Sequence, residues 1–245
     1  MHKKLIALCV AGLAASATQA DIVGATAGVQ HWNQSWDGFV QSSSSANDRI
    51  DVNDDLKYDE ETGISYYVAL EHPIPVLPNL RIQRTEIEVS ERGTVNATFD
   101  NQPFASDVDS TTDLTHTDFT MYYELLDNWV NLDVGLSVRL FDGEITIKDT
   151  SGSQEGSVDV DVPVPMLYAN ARFDLPFSGF YAQAVGNMLS VGDNSITDMS
   201  VGIGFEATIF SLEAGYRSFD LKLEDDEDEA DLTIDGLYVG VNIDI

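Results

Sequence analysis

Val130-Asn131-Leu132-Asp133-Val134-Gly135-Leu136-Ser137-Val138-Arg139-Leu140 places an apolar residue at every second position and a polar or small one between each pair. Successive side chains of a strand point to opposite faces, so this stretch has one apolar and one polar face over eleven residues. That is the length a tilted strand needs to cross a hydrocarbon core. Similar alternation marks Ile64 to Leu70, Phe119 to Leu125, Leu167 to Leu175, Thr197 to Ala207 and Leu237 to Ile245. Weaker runs cover residues 22–32, 80–90, 180–190 and 211–221, which makes ten candidate strands. The alternation slips near Arg84 and Thr85, where a bulge reconciles its two halves. Beyond the N-terminal leader, nothing approaches the ~20 apolar residues of a membrane-spanning helix.

The connections between these strands are of two kinds, in strict turn. Pro73 to Asn79, Asp127 to Asn128, Pro176 to Gly179 and Thr208 to Ser211 are tight. Residues 33–62, 92–116, 142–162, 192–195 and 223–231 read as loops, mostly long and polar. An even strand count with short turns at one end and long loops at the other is the plan of an outer-membrane barrel. Trp129, Phe177, Phe180, Phe205 and Phe210 gather at the tight-turn end, as an interfacial aromatic girdle does. A soluble β-sandwich also alternates, but it has no reason to sort its loops by length. The expectation is therefore all-β: an antiparallel up-and-down transmembrane barrel of about ten strands, residues 21–245, with long acidic extracellular loops.

Lys3 and Lys4, an apolar run from Leu5 to Ala15, and small residues up to Ala20 read as a secretory signal, residues 1–20, cleaved before Asp21. Cys9 raises a lipoprotein signal as the competing reading, but Leu8 precedes it where a small residue is needed. Removing the leader removes that cysteine, so the mature chain has neither disulfide nor thiolate site. It leaves 10 basic against 42 acidic residues, a net charge of −32. Such a surface repels nucleic acid and attracts cations.

The chain resembles a family of gammaproteobacterial outer-membrane β-barrel proteins of about 250 residues with no established activity. The residues that carry the resemblance are Glu71 to Asn79 at a turn, Tyr122 to Asp127, Leu132 to Leu136, Pro165 to Ala169, Ala214 to Ser218 and Asp235 to Tyr238. These are turn and strand signatures across most of the mature chain. The resemblance implies the barrel and its outer-membrane location, and it brings no catalytic motif. Leu237, Val239, Val241, Ile243 and Ile245 have the form of the insertion signal read by barrel-assembly machinery. The usual terminal Phe is replaced by Ile245.

A barrel hydrolase would gather acid, His or Ser at the outer rim. Of the four histidines, His2 leaves with the leader and His72 lies beside a tight turn. His31, ending the first strand, and His116, at the rim, remain without a motif around them. Asp51-Val52-Asn53-Asp54-Asp55 starts like a calcium loop but has Leu56 where Gly is needed and Thr62 where the bidentate Glu belongs. Glu224, Asp225, Asp226, Glu227 and Asp228 begin a run of acids in another loop. Weak Ca²⁺ or Mg²⁺ association is expected at Asp51, Asp54, Asp55 and that run, and no other cofactor. The polar strand faces send Glu71, Arg81, Glu124, Asp133, Arg172, Asp174 and Glu206 into the lumen, with Tyr67, Tyr122, Tyr168, Tyr181 and Tyr238. A ten-stranded lumen is narrow enough for such side chains to plug. Arg172 is expected to face Asp133 across neighbouring strands, with Glu124 and Asp174 close by. The function that follows is a non-catalytic surface protein whose acidic loops meet cations, lipopolysaccharide or a partner. A small passive channel for cations or other solutes is the alternative.

Overall fold

The computed structural model describes residues 23–43, 45–74, 76–225 and 228–245. The expected leader lies outside them. In chain order the strands are β1 (Gly24–Ser42), β2 (Ile50–Asp51), β3 (Glu61–Glu71), β4 (Asn79–Thr85), β5 (Glu88–Phe99) and β6 (Gln102–Asp113). They continue as β7 (His116–Leu126), β8 (Val130–Phe141), β9 (Gly143–Asp149), β10 (Glu155–Val160) and β11 (Pro163–Asp174). The last four are β12 (Phe180–Val191), β13 (Asn194–Ala207), β14 (Phe210–Asp225) and β15 (Asp228–Asp244).

Ten of these close a barrel in the order β1-β15-β14-β13-β12-β11-β8-β7-β4-β3, and β3 pairs back onto β1. All ten junctions are antiparallel, and each barrel strand covers one of the ten alternating segments. The slip at Arg84 and Thr85 coincides with the end of β4, after which Glu86 and Ile87 interrupt pairing before β5 begins. Apolar residues of the barrel strands face outward, with Leu136, Ile203 and Leu237 each more than 60% exposed. So large an apolar belt has no place in water and fits hydrocarbon. Trp129 packs edge-on against Phe173 and Phe180 tilts onto Phe205 at the short-turn end.

The other end departs from expectation. Residues 92–116 and 142–162 are not loops: β5, β6, β9 and β10 form a four-stranded antiparallel sheet that carries the barrel wall upward from β4, β7, β8 and β11. Their inner face alternates Val89, Val95, Phe99, Phe104, Val108, Ile145 and Ile147 with glycine, serine and threonine, which thins the apolar signal. β1 likewise runs past His31 to Ser42, and β12 and β13 are joined by a tight turn within residues 192–195. The segment after β1 folds beneath the sheet, where Ile50, Val52 and Leu56 are fully buried. With Trp32, Trp36, Phe219, Leu232 and Ile234 they form one continuous hydrophobic core across the barrel end.

Inside, the five inward tyrosines all pair with glycine on a neighbouring strand: Tyr67 with Gly28, Tyr122 and Tyr168 with Gly135, Tyr181 with Gly204, and Tyr238 with Gly215. A Cβ at Gly204 would lie 2.1 Å from Tyr181 Cζ, so the ring lies flat in the space a side chain would take. Two outcomes follow. The folded chain, having no open edge within the belt, resists detergent and migrates faster on a gel unheated than boiled. Gly204→Val displaces Tyr181 and lowers the temperature at which that shift is lost, whereas Ala182→Val, on the outward face, does not.

Candidate functional site

The lumen is best followed up the β7–β8 pair. From the short-turn end it shows Glu124 opposite Asp133, Tyr122 opposite Gly135, Thr120 opposite Ser137, Asp118 opposite Arg139, and His116 opposite Phe141. Polar groups fill the lower steps, a salt bridge the fourth, and the core begins at the fifth.

The lower lumen holds a cavity of about 270 Å³ bounded by Glu71, Arg81, Glu124, Asp133, Arg172 and Glu206, with Asp127, Ile209 and Asp244 at the short-turn mouth. Arg172 Nε donates to Asp174 Oδ1 at 2.9 Å and Nη2 to Glu206 Oε2 at 2.5 Å. Its guanidinium stacks 3.9 Å above the Tyr181 ring. Asp133 does not face Arg172: its register partner on β11 is Asn170, whose amide donates to it at 2.8 Å, while Arg172 lies opposite Asn131. Asp133 stands six residues from the turn residue Asp127 and Arg172 only four from Pro176, so Arg172 sits one inward step nearer the short-turn end. Arg81 stacks 3.7 Å above Tyr67 and donates to Gln83. Tyr122 donates to Glu71 at 2.9 Å.

Above the cavity lies a cluster that sequence reasoning missed. Arg139 Nε and Nη2 donate to the two oxygens of Asp118 at 2.8 Å, and Nη2 also reaches Asp198 at 2.7 Å. From the opposite wall Arg217 grips Asp198 through Nε and Nη2, each at 2.8 Å, and Nη1 donates to Ser65 at 2.9 Å. Two guanidiniums and two carboxylates thus bridge the lumen, no residue of the four more than 4% exposed. The signal was present, since Asp118, Arg139, Asp198 and Arg217 all stand at inward positions of alternating strands. Their coming together depends on the stagger of four strands.

His116, expected at the rim, is fully buried against Phe141 and Phe219, and its Nδ1–H donates to the Leu114 carbonyl at 2.9 Å. His31 lies mid-strand on the outward face. Among the described residues, His116, Asp118 and Asp198 are the only acidic and histidine donors close enough together for one metal ion. The two carboxylates are already neutralised by Arg139 and Arg217, so the set does not fit a cation. Of the expected cation ligands, Asp51 accepts from the amides of Asn53 and Asp54, and Asp55 from that of Asp51. These carboxylates tie their own turn together. Glu224 and Asp225 pair in register with Glu229 and Asp228 at the tip of the β14–β15 hairpin, and Asp226 and Glu227 lie outside the described residues.

The outer wall above the apolar belt is banded. The first row across β5, β6, β9 and β10 is Glu88, Asp113, Glu144 and Asp159, each directly opposite the next. Two residues higher the row is Ser90, Thr111, Thr146 and Ser157, and two higher again Arg92, Asp109, Lys148 and Glu155, alternating in sign. In that upper row Arg92 donates to Asp109 at 2.8 Å, which holds the Asp109 carboxyl below its ordinary range, and Lys148 pairs with Glu155 at 2.9 Å. The lower row has no base, and Asp142 and Asp161 join it around one concavity.

No protein-family model and no curated protein sequence matches the chain. Solved structures do. The outer-membrane protease OmpT of Escherichia coli superposes with a TM-score of 0.56 at 9% identity over 95% of this chain and 99% of its own. The translocator domain of the autotransporter NalP of Neisseria meningitidis aligns over 98% and 93% at 13% identity and a TM-score of 0.45. Ail, the attachment invasion locus protein of Yersinia pestis, aligns over 91% and 99% at 9% identity and 0.35. At 9% identity the OmpT superposition is a likeness of fold, that of a Gram-negative outer-membrane barrel. The chain is an outer-membrane β-barrel.

The two arginine clusters predict different costs of removal. Arg139→Met strands Asp118 in a buried site and lowers the unfolding free energy by ~3–5 kcal/mol. Arg172 and its partners are a quarter to a third exposed, so Arg172→Met costs about 1 kcal/mol or less. Urea midpoints in lipid vesicles measure both, and equal midpoints would contradict this ordering.

Proposed function

We propose that this chain is a non-catalytic, non-conducting member of the outer-membrane barrels, of the gammaproteobacterial kind it resembles, which presents an acidic extracellular wall. The observation that carries the proposal is the closed lumen. A path from the periplasmic mouth meets the Arg139–Asp118–Asp198–Arg217 bridge, and behind it a core in which Leu56, Ile87 and Leu114 are fully buried. That arrangement speaks against the channel alternative. The non-catalytic reading draws support from the histidines: His116 is sealed beneath the core and His31 faces lipid, so neither reaches a solvent-exposed acid or hydroxyl at the rim.

The wall itself supports the outward half of the proposal. Like charges directly opposite one another on neighbouring strands destabilise a sheet. Glu88, Asp113, Glu144 and Asp159 stand just above the apolar belt, at headgroup level. Divalent cations relieve that repulsion and join the row to the phosphates of lipopolysaccharide. The hairpin tip around Glu224 and Asp228 adds a second, looser acidic surface. β15 addresses the assembly machinery, its apolar positions running to Ile245.

Planar-bilayer recording tests the closed lumen: the wild-type chain gives no unitary conductance. Steady channels from the wild type would overturn the proposal. For the wall, millimolar Ca²⁺ or Mg²⁺ slows proteolysis of the β5–β10 sheet relative to matched ionic strength. Asp113→Asn/Glu144→Gln abolishes the effect.

A further inference from the structure

The periplasmic half of the lumen has properties that plugging alone does not require. Of the groups around the cavity, Glu71, Glu124, Asp127, Asp133, Glu206 and Asp244 are acidic, against Arg81 and Arg172. Arg172 is taken by Asp174 and Glu206, and Arg81 is turned to Tyr67 and Gln83. Glu124 and Asp133 therefore face each other across β7 and β8, and neither forms a salt bridge among the described residues. Asp133 accepts a hydrogen bond from the neutral amide of Asn170. Like charges so placed repel, and confinement between barrel walls screens them less than open solvent does.

The spacing of these acids and the character of the walls narrow what could sit between them. No three acidic donors of this cavity come close enough to share one metal ion, since among the described residues that closeness occurs only at the arginine bridge. A bare cation would leave most of the carboxylates unserved. The walls are aromatic: Tyr67 and Tyr181 each carry a guanidinium on the ring face at 3.7 and 3.9 Å. Ring faces turned into this lumen thus already hold organic cations. Tyr122 and Tyr168, tilted together with centroids 5.8 Å apart beside Glu124 and Asp133, carry no guanidinium over their ring faces among the described residues.

We propose that the half-lumen is a periplasm-facing pocket for a linear diamine or polyamine. One ammonium lies between Glu124 and Asp133, beneath the rings of Tyr122 and Tyr168, and the methylenes run down the lumen so that the second ammonium reaches Asp127 at the mouth. A volume of about 270 Å³ admits a short chain of this kind, and the bridge above it makes the pocket blind.

Calorimetry on the full mature chain in nanodiscs tests this with 1,4-diaminobutane, with uncharged 1,4-butanediol and with calcium chloride, at physiological salt. The diamine binds and the diol does not. Glu124→Gln/Asp133→Asn weakens the diamine about tenfold or more while keeping the heat-modified mobility of a folded barrel. Glu155→Gln, an exposed acid far from the lumen, leaves the affinity unchanged. If the double variant does not fold, hydrogen exchange on the wild type decides: the diamine protects amides of β7 and β8 around Glu124 and Asp133 and not those of β9 and β10. The proposal is overturned by an absence of diamine heat, by affinity that survives the double variant, by equal binding of the diol, by calcium competing at the same residues with higher affinity, or by protection confined to the extracellular sheet.

Discussion

Within hydrocarbon no water can serve a peptide group, so each N–H and C=O of the wall must find a partner in another strand. The seam that meets this demand is β1, which pairs with β15 on one side and β3 on the other. Once the ring is closed at ten strands the lumen is too narrow to be left empty and too polar to be filled with aliphatic side chains. The inward tyrosines answer that constraint by lying over glycines on neighbouring strands, which brings a large ring into a small bore without pushing the walls apart.

Closure also explains the vertical order of the interior. At the short-turn end water reaches the carboxylates and arginines, and pairs such as Arg172 with Glu206 remain partly exposed. Higher up, charges survive only where every one is answered, as Arg139 answers Asp118 and Arg217 answers Asp198. Above them charge gives way to an apolar core. This order gives the two ends of one narrow tube different chemistry, a wet pocket below and a sealed cap above.

The barrel was legible because its signal is repetitive: Val130 to Leu140 states it once and nine further segments repeat it, and lipid enforces the apolar face of each. Loop length separated the two ends less cleanly, since the connection at residues 192–193 is as tight as any turn at the other end. The β5–β6–β9–β10 sheet was not legible, because its inner face is interrupted by Gly93, Ser110, Thr112 and Gly143, and its outer face reads as a run of acids and hydroxyls. The lumen residues could be assigned to the inside from parity alone, but which of them touch depends on register. Asp133 finds Asn170 rather than Arg172 because it stands six residues from its turn and Arg172 only four from the other, one inward step apart. The arginine bridge joins the β7–β8 pair to the β13–β14 pair across the lumen, with Ser65 of β3 beside it, and pairs so far apart have no shared pattern in the chain.

The banding of the outer wall sets the protein's depth. Leu140 still faces lipid, and Asp142 and Glu144, two and four residues on, stand in the acid row. At about 3.4 Å per residue the change from hydrocarbon to headgroup takes place over roughly one to two residue pairs. At the lower edge Trp129 and Phe180 mark the opposite interface. A wall graduated at both edges cannot slide along the membrane normal without carrying acids into hydrocarbon or aromatics into water. The molecule is therefore self-levelling: the bilayer fixes how far the sheet stands above the surface, and anything that approaches from outside meets the same band of chemistry at the same height.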